Sequence, residues 1–372
     1  MWEYQNPVRI VFGSGAFATA ASALAGRSYA LVTYPGAPFD AWVGQLADEA
    51  GRAQLIVDDV APNPDYLLLA DQCARFAKVP EVIVALGGGS VIDSAKVFAA
   101  AAGDFAKVRR HLETGDAGEP LGAIPIIAIP TTAGTGSEVT CWATVWDAEG
   151  GRKLSLAQGN LYPEVALVDP GLMMGKPRAL TLATGLDALS HALESIWNVN
   201  ANPVSARHAV AAAKVLLRDL PPLLGDLGNA ELRSKVAEAS LNAGLAFSNT
   251  KTAIAHNLSY PITLGWGVQH GIACSFTLPT VLASVTGIGG FREEALCEIF
   301  GADLETGAQD LSAFLDAVGV ATRWADYGIA PDARSGIVDQ AFAGERGRNF
   351  VGTKERFVEA AGRLGVMQMS SA

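Results

Sequence analysis

Asp187 and His191 stand four residues apart in Gly185-Leu-Asp187-Ala-Leu-Ser-His191; His256 follows in Ala-Ile-Ala-His256, and His270 in Val-Gln-His270-Gly271. On a helix an i,i+4 pair points the same way, so the first two side chains share a face. Three of the chain's five histidines stand in these motifs. One carboxylate with three imidazoles is a donor set that Fe(II) or Zn(II) takes. Each residue alone reads equally well as a partly buried histidine or a helix-surface carboxylate.

Two turns suggest a second kind of chemistry. Leu86-Gly87-Gly88-Gly89-Ser90-Val-Ile-Asp93-Ser-Ala-Lys96 reads as a strand end, a glycine turn and a helix start. Glycines let a backbone approach a phosphate, and the N–H groups of a helix N-terminus bind it. The order is neither G-x-G-x-x-G nor G-x-x-x-x-G-K-[ST], so a standard Rossmann fingerprint and a P-loop are both excluded. The following strand ends in Ile129-Pro130-Thr131-Thr132-Ala-Gly134-Thr135-Gly136-Ser137-Glu138-Val139-Thr140. Its hydroxyls suit a pyrophosphate, a ribose or a nicotinamide amide, and equally a solvated turn. Open α/β sheets bind ligands at such consecutive strand ends.

Positioning these groups takes two kinds of element. Residues 8–12, 29–33, 53–57, 82–86 and 124–129 are short apolar runs, with helical patterns over 41–52, 65–76 and 91–102 between them. That alternation predicts an α/β N-terminal dinucleotide-binding domain over 1–172, with a Rossmann-like parallel sheet. After a break rich in Gly and Pro at 171–177, apolar residues recur with helical period over 179–199, 206–224, 230–248 and 271–284. The pattern returns at 293–300, 309–318 and 354–364, so 173–372 reads as an all-α C-terminal domain carrying the metal and substrate groups.

Composition narrows the function. Of 372 residues 50% are hydrophobic and 17% charged, which supports a large core. A net charge of −11 disfavours nucleic acid and anionic membranes as partners. No apolar run is long enough for a membrane span, and the N-terminus lacks the basic and apolar regions of a signal peptide. Cys73, Cys141, Cys274 and Cys297 are scattered, as buried thiols of a cytoplasmic protein would be.

Four motifs then coincide: Gly87-Gly88-Gly89-Ser90-x-x-Asp93, Thr131-Thr132-x-Gly134-Thr135-Gly136-Ser137-Glu138, Gly185-x-Asp187-x-x-x-His191, and His256-x13-His270-Gly271. With them the chain resembles the iron-containing (group III) alcohol dehydrogenases from end to end. The resemblance implies their dehydroquinate synthase-like fold, a homodimer, and a metal on Asp187, His191, His256 and His270. The ion it implies is Fe(II), and Zn(II) also suits the set. It implies NAD(P)H held by Gly87, Gly88, Gly89, Ser90, Asp93, Thr131, Thr132, Thr135 and Ser137. Asn63, in an Asn-Pro turn, and Lys153, after the threonine loop, match further cofactor positions.

Two positions depart from the family. Tyr260 stands where many members carry a second histidine four residues after the third ligand, and it either offers the substrate a phenol or packs. Thr33-Tyr34-Pro35-Gly36 stands where NAD-preferring members end their second strand with an acid, so NADPH fits as well as NADH.

The segment 248–279 resembles the phosphonoacetaldehyde reductases of phosphonate and phosphinate biosynthesis, a branch of the family. That implies reduction of a small anionic aldehyde, phosphonoacetaldehyde to 2-hydroxyethylphosphonate, with Lys251 and Tyr260 as catalytic candidates. Asn249, Thr250, Lys251, Ser259 and Arg346 are the candidate substrate contacts, because a phosphonate needs charge-assisted donors. The alternative is a general short-chain alcohol or lactaldehyde dehydrogenase of the same family.

Overall fold

A computed structural model describes residues 1–76, 78–147, 149–150 and 152–367. The chain divides into two compact units, one of Pro7–Met174 and one of Met1–Asn6 with the chain from Gly175 onward.

In the first unit the strands are β1 (Arg9–Phe12), β2 (Tyr29–Val32), β3 (Leu55–Val57), β4 (Val82–Gly87), β5 (Ile126–Pro130), β6 (Trp142–Asp147), β7 (Arg152–Ala157) and β8 (Val165–Val168). The helices are α1 (Ala20–Leu24), α2 (Phe39–Ala50), α3 (Tyr66–Cys73), α4 (Gly89–Ala101) and α5 (Phe105–Thr114). Six strands form one parallel sheet in the order β1-β8-β5-β4-β2-β3. β2, β4, β5 and β8 are buried throughout, as strands covered on both faces must be. Alternate residues of β4 serve the two faces. Ile83 and Ala85 pack with Phe98 of α4 and Phe105 of α5, while Val84 and Leu86 pack with Leu24 of α1 and Leu46 of α2.

Three elements of this unit escape the sequence reading. The antiparallel hairpin β6–β7 follows the threonine loop directly, β8 is only four residues long, and α5 is strongly polar. Side by side, β4 and β5 pair Gly87 with Pro130, so the glycine turn and the threonine loop leave adjacent strand ends.

The second unit is helical: α6 (Arg178–Glu194), α7 (Pro203–Gly225), α8 (Ala230–Thr250), α9 (Ile254–Trp266), α10 (His270–Ser275), α11 (Leu278–Ser284), α12 (Gly290–Phe300), α13 (Leu304–Val318), α14 (Pro331–Ala343) and α15 (Lys354–Arg363). Among the described residues it contains no strand, and no helix is long and apolar enough to cross a membrane. Pro261 lies inside α9 and hides that helix from periodicity, since proline cannot donate to the helix ladder. The expected helix over 271–284 is broken into α10 and α11, with Pro279 in the first turn of α11.

The first six residues join this helical unit through polar contacts. Tyr4 donates to the Leu245 carbonyl at 3.2 Å and stacks on His208. The Asn249 amide pairs with both Gln5 backbone groups at 2.8 and 3.0 Å. The observed division therefore differs from a simple cut at 172/173.

Candidate metal centre and nucleotide loops

α6 carries Asp187, His191 and Glu194 in one stripe, at positions i, i+4 and i+7. α9 supplies His256, and α10 begins with His270. Gly271 holds α10 against α6: a Cβ there would lie 2.0 Å from the Ala183 carbonyl oxygen, so only glycine permits this approach.

The Nε2 atoms of His191, His256 and His270 stand 3.9, 3.4 and 4.0 Å from one atom, Oδ1 of Asp187. An ion with bonds of roughly 2.0–2.1 Å in a tetrahedral shell keeps its ligand atoms about 3.4 Å apart. Asp187 Oδ1 and His256 Nε2 are buried, and neither makes a hydrogen bond. Such orphans each cost about 1–3 kcal/mol, a cost a cation at their meeting point would remove. The residues present therefore fit a divalent ion. Burial would raise the Asp187 carboxyl, but His191, His256 and His270 outweigh it and hold the group well below the usual carboxylate range.

Two members of this site were missed from the sequence. Glu194 is fully buried; its Oε2 meets His256 Nδ1 at 2.5 Å, and its Oε1 accepts from the Ala255 and His256 N–H groups at 2.6 and 3.1 Å. One carboxylate thus holds the start of α9 and turns His256 Nε2 toward Asp187, the arrangement that orients metal-binding imidazoles. The stripe spacing on α6 was the available signal. Burial pulls His256 down, yet Cys274, Glu194 and Asp187 raise it well above its ordinary value. The second omission is Cys274, one helical turn after His270. Asp187, His256, His270 and Cys274 offer donor atoms that all lie within 4.8 Å of one another.

Glu194→Gln is expected to weaken metal binding by about 10–100-fold while the protein stays folded, because the imidazole loses its fixed orientation. Titration of the metal-free protein with Zn(II) measures this, and unchanged affinity would reduce Glu194 to a helix cap.

In the first unit, α4 starts at Gly89 and no side chain caps its N-terminus at Gly88. A Cβ on Gly89 would lie 2.5 Å from Thr135, and one on Gly88 would lie 3.2 Å from Thr132, so the two turns interlock. Thr131 N donates to Gly87 O at 3.0 Å, and Ser137 N donates to Thr135 Oγ1 at 3.3 Å. Asp93 accepts from Ser137 Oγ at 2.6 Å and from Thr144 N at 2.9 Å, tying α4 to both the threonine loop and β6. Asn63 has φ +57° and donates its N–H to Ser90 Oγ at 3.2 Å. Lys153 pairs across the hairpin with Trp146, whose N–H donates to Pro64 O at 2.8 Å.

Behind the loops lies Lys96, fully buried, with its ammonium on Ser137 O, Ser137 Oγ, Thr140 Oγ1 and Trp142 O. Burial lowers it to about 8, against the pull of Asp93, and raises the Glu138 carboxyl to about 7. Lys96 and Glu138 therefore act on the loop's stability.

The candidate substrate residues separate in the structure. Thr250 is buried and its hydroxyl serves Ser195 Oγ and Lys251 O. Ser259 donates to His256 O at 2.7 Å and lies 3.4 Å from His270 Nδ1. Asn249 holds Gln5, as described. Lys251 has φ +62°, and its exposed ammonium lies 3.6 Å from Glu345 Oε1. Arg346 donates to Thr252 Oγ1 at 2.6 Å, and its guanidinium sits 5.3 Å from the centre of the Tyr260 ring. That ring is in turn parallel to His270, 6.1 Å away.

An α/β unit with interlocked glycine and threonine turns and, in the same chain, a helical unit with a carboxylate–imidazole centre are the marks of a class of metal-dependent nucleotide-using oxidoreductases. The comparisons narrow it. The profile of the iron-containing alcohol dehydrogenases matches residues 7–170, and that of the Fe-containing alcohol dehydrogenase family C-terminal region matches 181–360. The chain belongs to the iron-containing alcohol dehydrogenase family.

It is 36% identical to the phosphonoacetaldehyde reductase of Streptomyces viridochromogenes over 68% of this chain and 66% of that one, just short of two thirds of the relative's length. It is 34% identical to the 1,3-propanediol dehydrogenase of Klebsiella pneumoniae over 79% of this chain and 76% of that one. The sulfoacetaldehyde reductase of Bifidobacterium kashiwanohense, solved in complex with NAD+, superposes with a TM-score of 0.89 at 30% identity, covering 99% of this chain and 100% of that one.

Proposed function

We propose that the chain reduces a short aldehyde bearing an anionic tail, phosphonoacetaldehyde to 2-hydroxyethylphosphonate, at the expense of NAD(P)H. The observation carrying this reading is the stack Arg346–Tyr260–His270, which puts a guanidinium one aromatic ring away from the metal cluster. Two of the relatives are named for two-carbon aldehydes with oxyanion tails, phosphonoacetaldehyde and sulfoacetaldehyde.

When bound, a divalent ion supplies Lewis-acid polarisation of a carbonyl and the reduced nicotinamide supplies the hydride. Asp187, His191, His256 and His270 would hold the ion, and one carboxylate with imidazoles suits Fe(II) as well as Zn(II). Gly87, Gly88, Gly89, Ser90 and the α4 N-terminus would receive the pyrophosphate, with Thr131, Thr132, Thr135, Asn63 and Lys153 around it. Asp93 and Ser137 brace those loops. The end of β2 presents Thr33 and Tyr34, and the nearby Asp40 carboxylate is held by Gly36 N at 3.0 Å, which supports use of NADPH alongside NADH.

On the substrate side, Arg346 draws the oxyanion tail and Lys251, whose exposed ammonium lies 3.6 Å from Glu345 Oε1, adds a second cation. Tyr260 forms the wall that sets their distance from the cluster. The 1,3-propanediol dehydrogenase relative supports a second reading, a general short-chain alcohol or lactaldehyde dehydrogenase.

The two readings separate on Arg346→Ala. Its kcat/KM for phosphonoacetaldehyde is expected to fall about 10–100-fold, the worth of one charge-assisted bond, with acetaldehyde or lactaldehyde little changed. Nicotinamide absorbance, followed with NADH and with NADPH, gives the answer. Equal losses on all aldehydes would remove the anionic-tail reading and leave the general one.

A further inference from the structure

We propose that the first turn of α6, with Arg233 and Lys176 beside it, is a binding site for a small tetrahedral oxyanion such as inorganic phosphate. The site lies at the end of α6 away from Asp187, His191 and Glu194, and it stands or falls independently of the metal and substrate readings.

Helix direction sets the field there. Arg233, in the first turn of α8, donates from Nη1 to Thr181 Oγ1 at 3.1 Å, while Phe247 near the end of α8 stacks on His191 with ring centres 4.1 Å apart. The two helices therefore run parallel, and the positive ends of both dipoles lie side by side. Asn229 caps α8 by accepting from Leu232 N, whereas no side chain caps α6. The first N–H groups of α6 lack the carboxylate or hydroxyl that such an end normally takes.

A guanidinium that no carboxylate neutralises lies between these ends. Arg233 is only 3% exposed, and arginine is seldom so buried without an acidic partner. Its partners among the described residues are neutral, Thr181 Oγ1 and, at 3.3 Å, Leu227 O. Its Nε is buried and makes no hydrogen bond, so the charge is left unsatisfied. Lys176, partly buried, is a second cation: burial first, and then the Arg233 charge, hold its ammonium below its ordinary value. The acids nearest in sequence are engaged elsewhere. Glu231 pairs with Lys235 and Asp219 with Arg218, each at 2.6 Å, and Asp226 accepts from the Asn229 amide at 3.5 Å. A tetrahedral anion would accept from the α6 N–H groups and the Lys176 ammonium, and would neutralise the guanidinium.

The experiment follows Tm of the full-length protein as phosphate or sulfate is raised against chloride at equal ionic strength. The wild type is expected to rise with phosphate, because an ion that binds only the folded chain stabilises it by mass action. Lys176→Glu brings a carboxylate of its own. It should match or exceed the wild type without phosphate, and bind phosphate ~10-fold or more weakly, the worth of one charge-assisted partner. Its turnover should stay normal. Arg346→Ala, at the candidate substrate tail, should leave the phosphate effect unchanged, and crystals soaked in tungstate should show its anomalous signal against the first turn of α6. No rise over chloride in the wild type, a rise that Lys176→Glu keeps in full or Arg346→Ala loses, or tungstate absent from that turn would overturn the proposal.

Discussion

Asp187→Asn is expected to abolish stoichiometric metal binding and to lower kcat/KM by ~10³-fold or more, as loss of the charge-stabilising ion would. The change keeps the volume of the side chain and removes its charge. That charge is the hub of the centre, because three imidazole Nε2 atoms converge on the one oxygen within 4.0 Å. A neutral amide there cannot offset a dication. The effect is also visible without turnover. For the wild type, an ion at about a hundred times its dissociation constant adds ~2.7 kcal/mol to stability. In a unit of this size that raises Tm by roughly 5–10 °C. The variant should show no such rise with Fe(II), Zn(II) or Co(II). One ion per chain after dialysis, with near-normal turnover, would take Asp187 out of the ligand set.

How much of this site could be read from the chain depended on whether a group announces itself by spacing. Asp187 and His191 did, because one helical turn separates them, and Gly87 to Ser90 did, because three glycines before a helix have few other uses. Glu194 did not, although it continues the same stripe: a carboxylate that contacts only a ligand carries no motif. Spacing also misled. Asn249, Thr250 and Ser259 are polar and near His256 in sequence, yet their side chains hold Gln5, Ser195 with Lys251, and the α9 backbone with His270. Short local patterns explain the fold's gaps as well. A four-residue strand such as β8 has no room for a period, and Pro261 interrupts the helix that presents His256.

Lys96→Met tests the buried support of the candidate nucleotide loops, and a loss of ~3–5 kcal/mol is expected at pH 7. Two effects compete. Removing the ammonium ends the cost of burying a charge, a cost visible in the fall of Lys96 to about 8. It also takes the donor from Trp142 O and leaves Ser137 O and Thr140 Oγ1 with only the long 3.4 Å bonds that the Thr140 hydroxyl and N–H donate to Ser137 O, all packed around a side chain with no solvent exposure. Each orphan costs about 1–3 kcal/mol, and Asp93 loses its nearest cation, so the loss outweighs the gain. The pH dependence carries a sign of its own. Because the folded value of about 8 lies below the ordinary 10.5, folding releases a proton between them and wild-type stability rises with pH across that window. The methionine variant lacks this contribution, so the gap between the two proteins should widen from pH 8 to 10. Urea unfolding at several pH values measures both quantities. Nicotinamide affinity should fall as well, although Lys96 lies behind the loop, because Ser137 and Thr140 position the turn that would meet the cofactor. A variant as stable as wild type, with unchanged slope, would mean that the Asp93–Ser137 bond alone holds the threonine loop to α4.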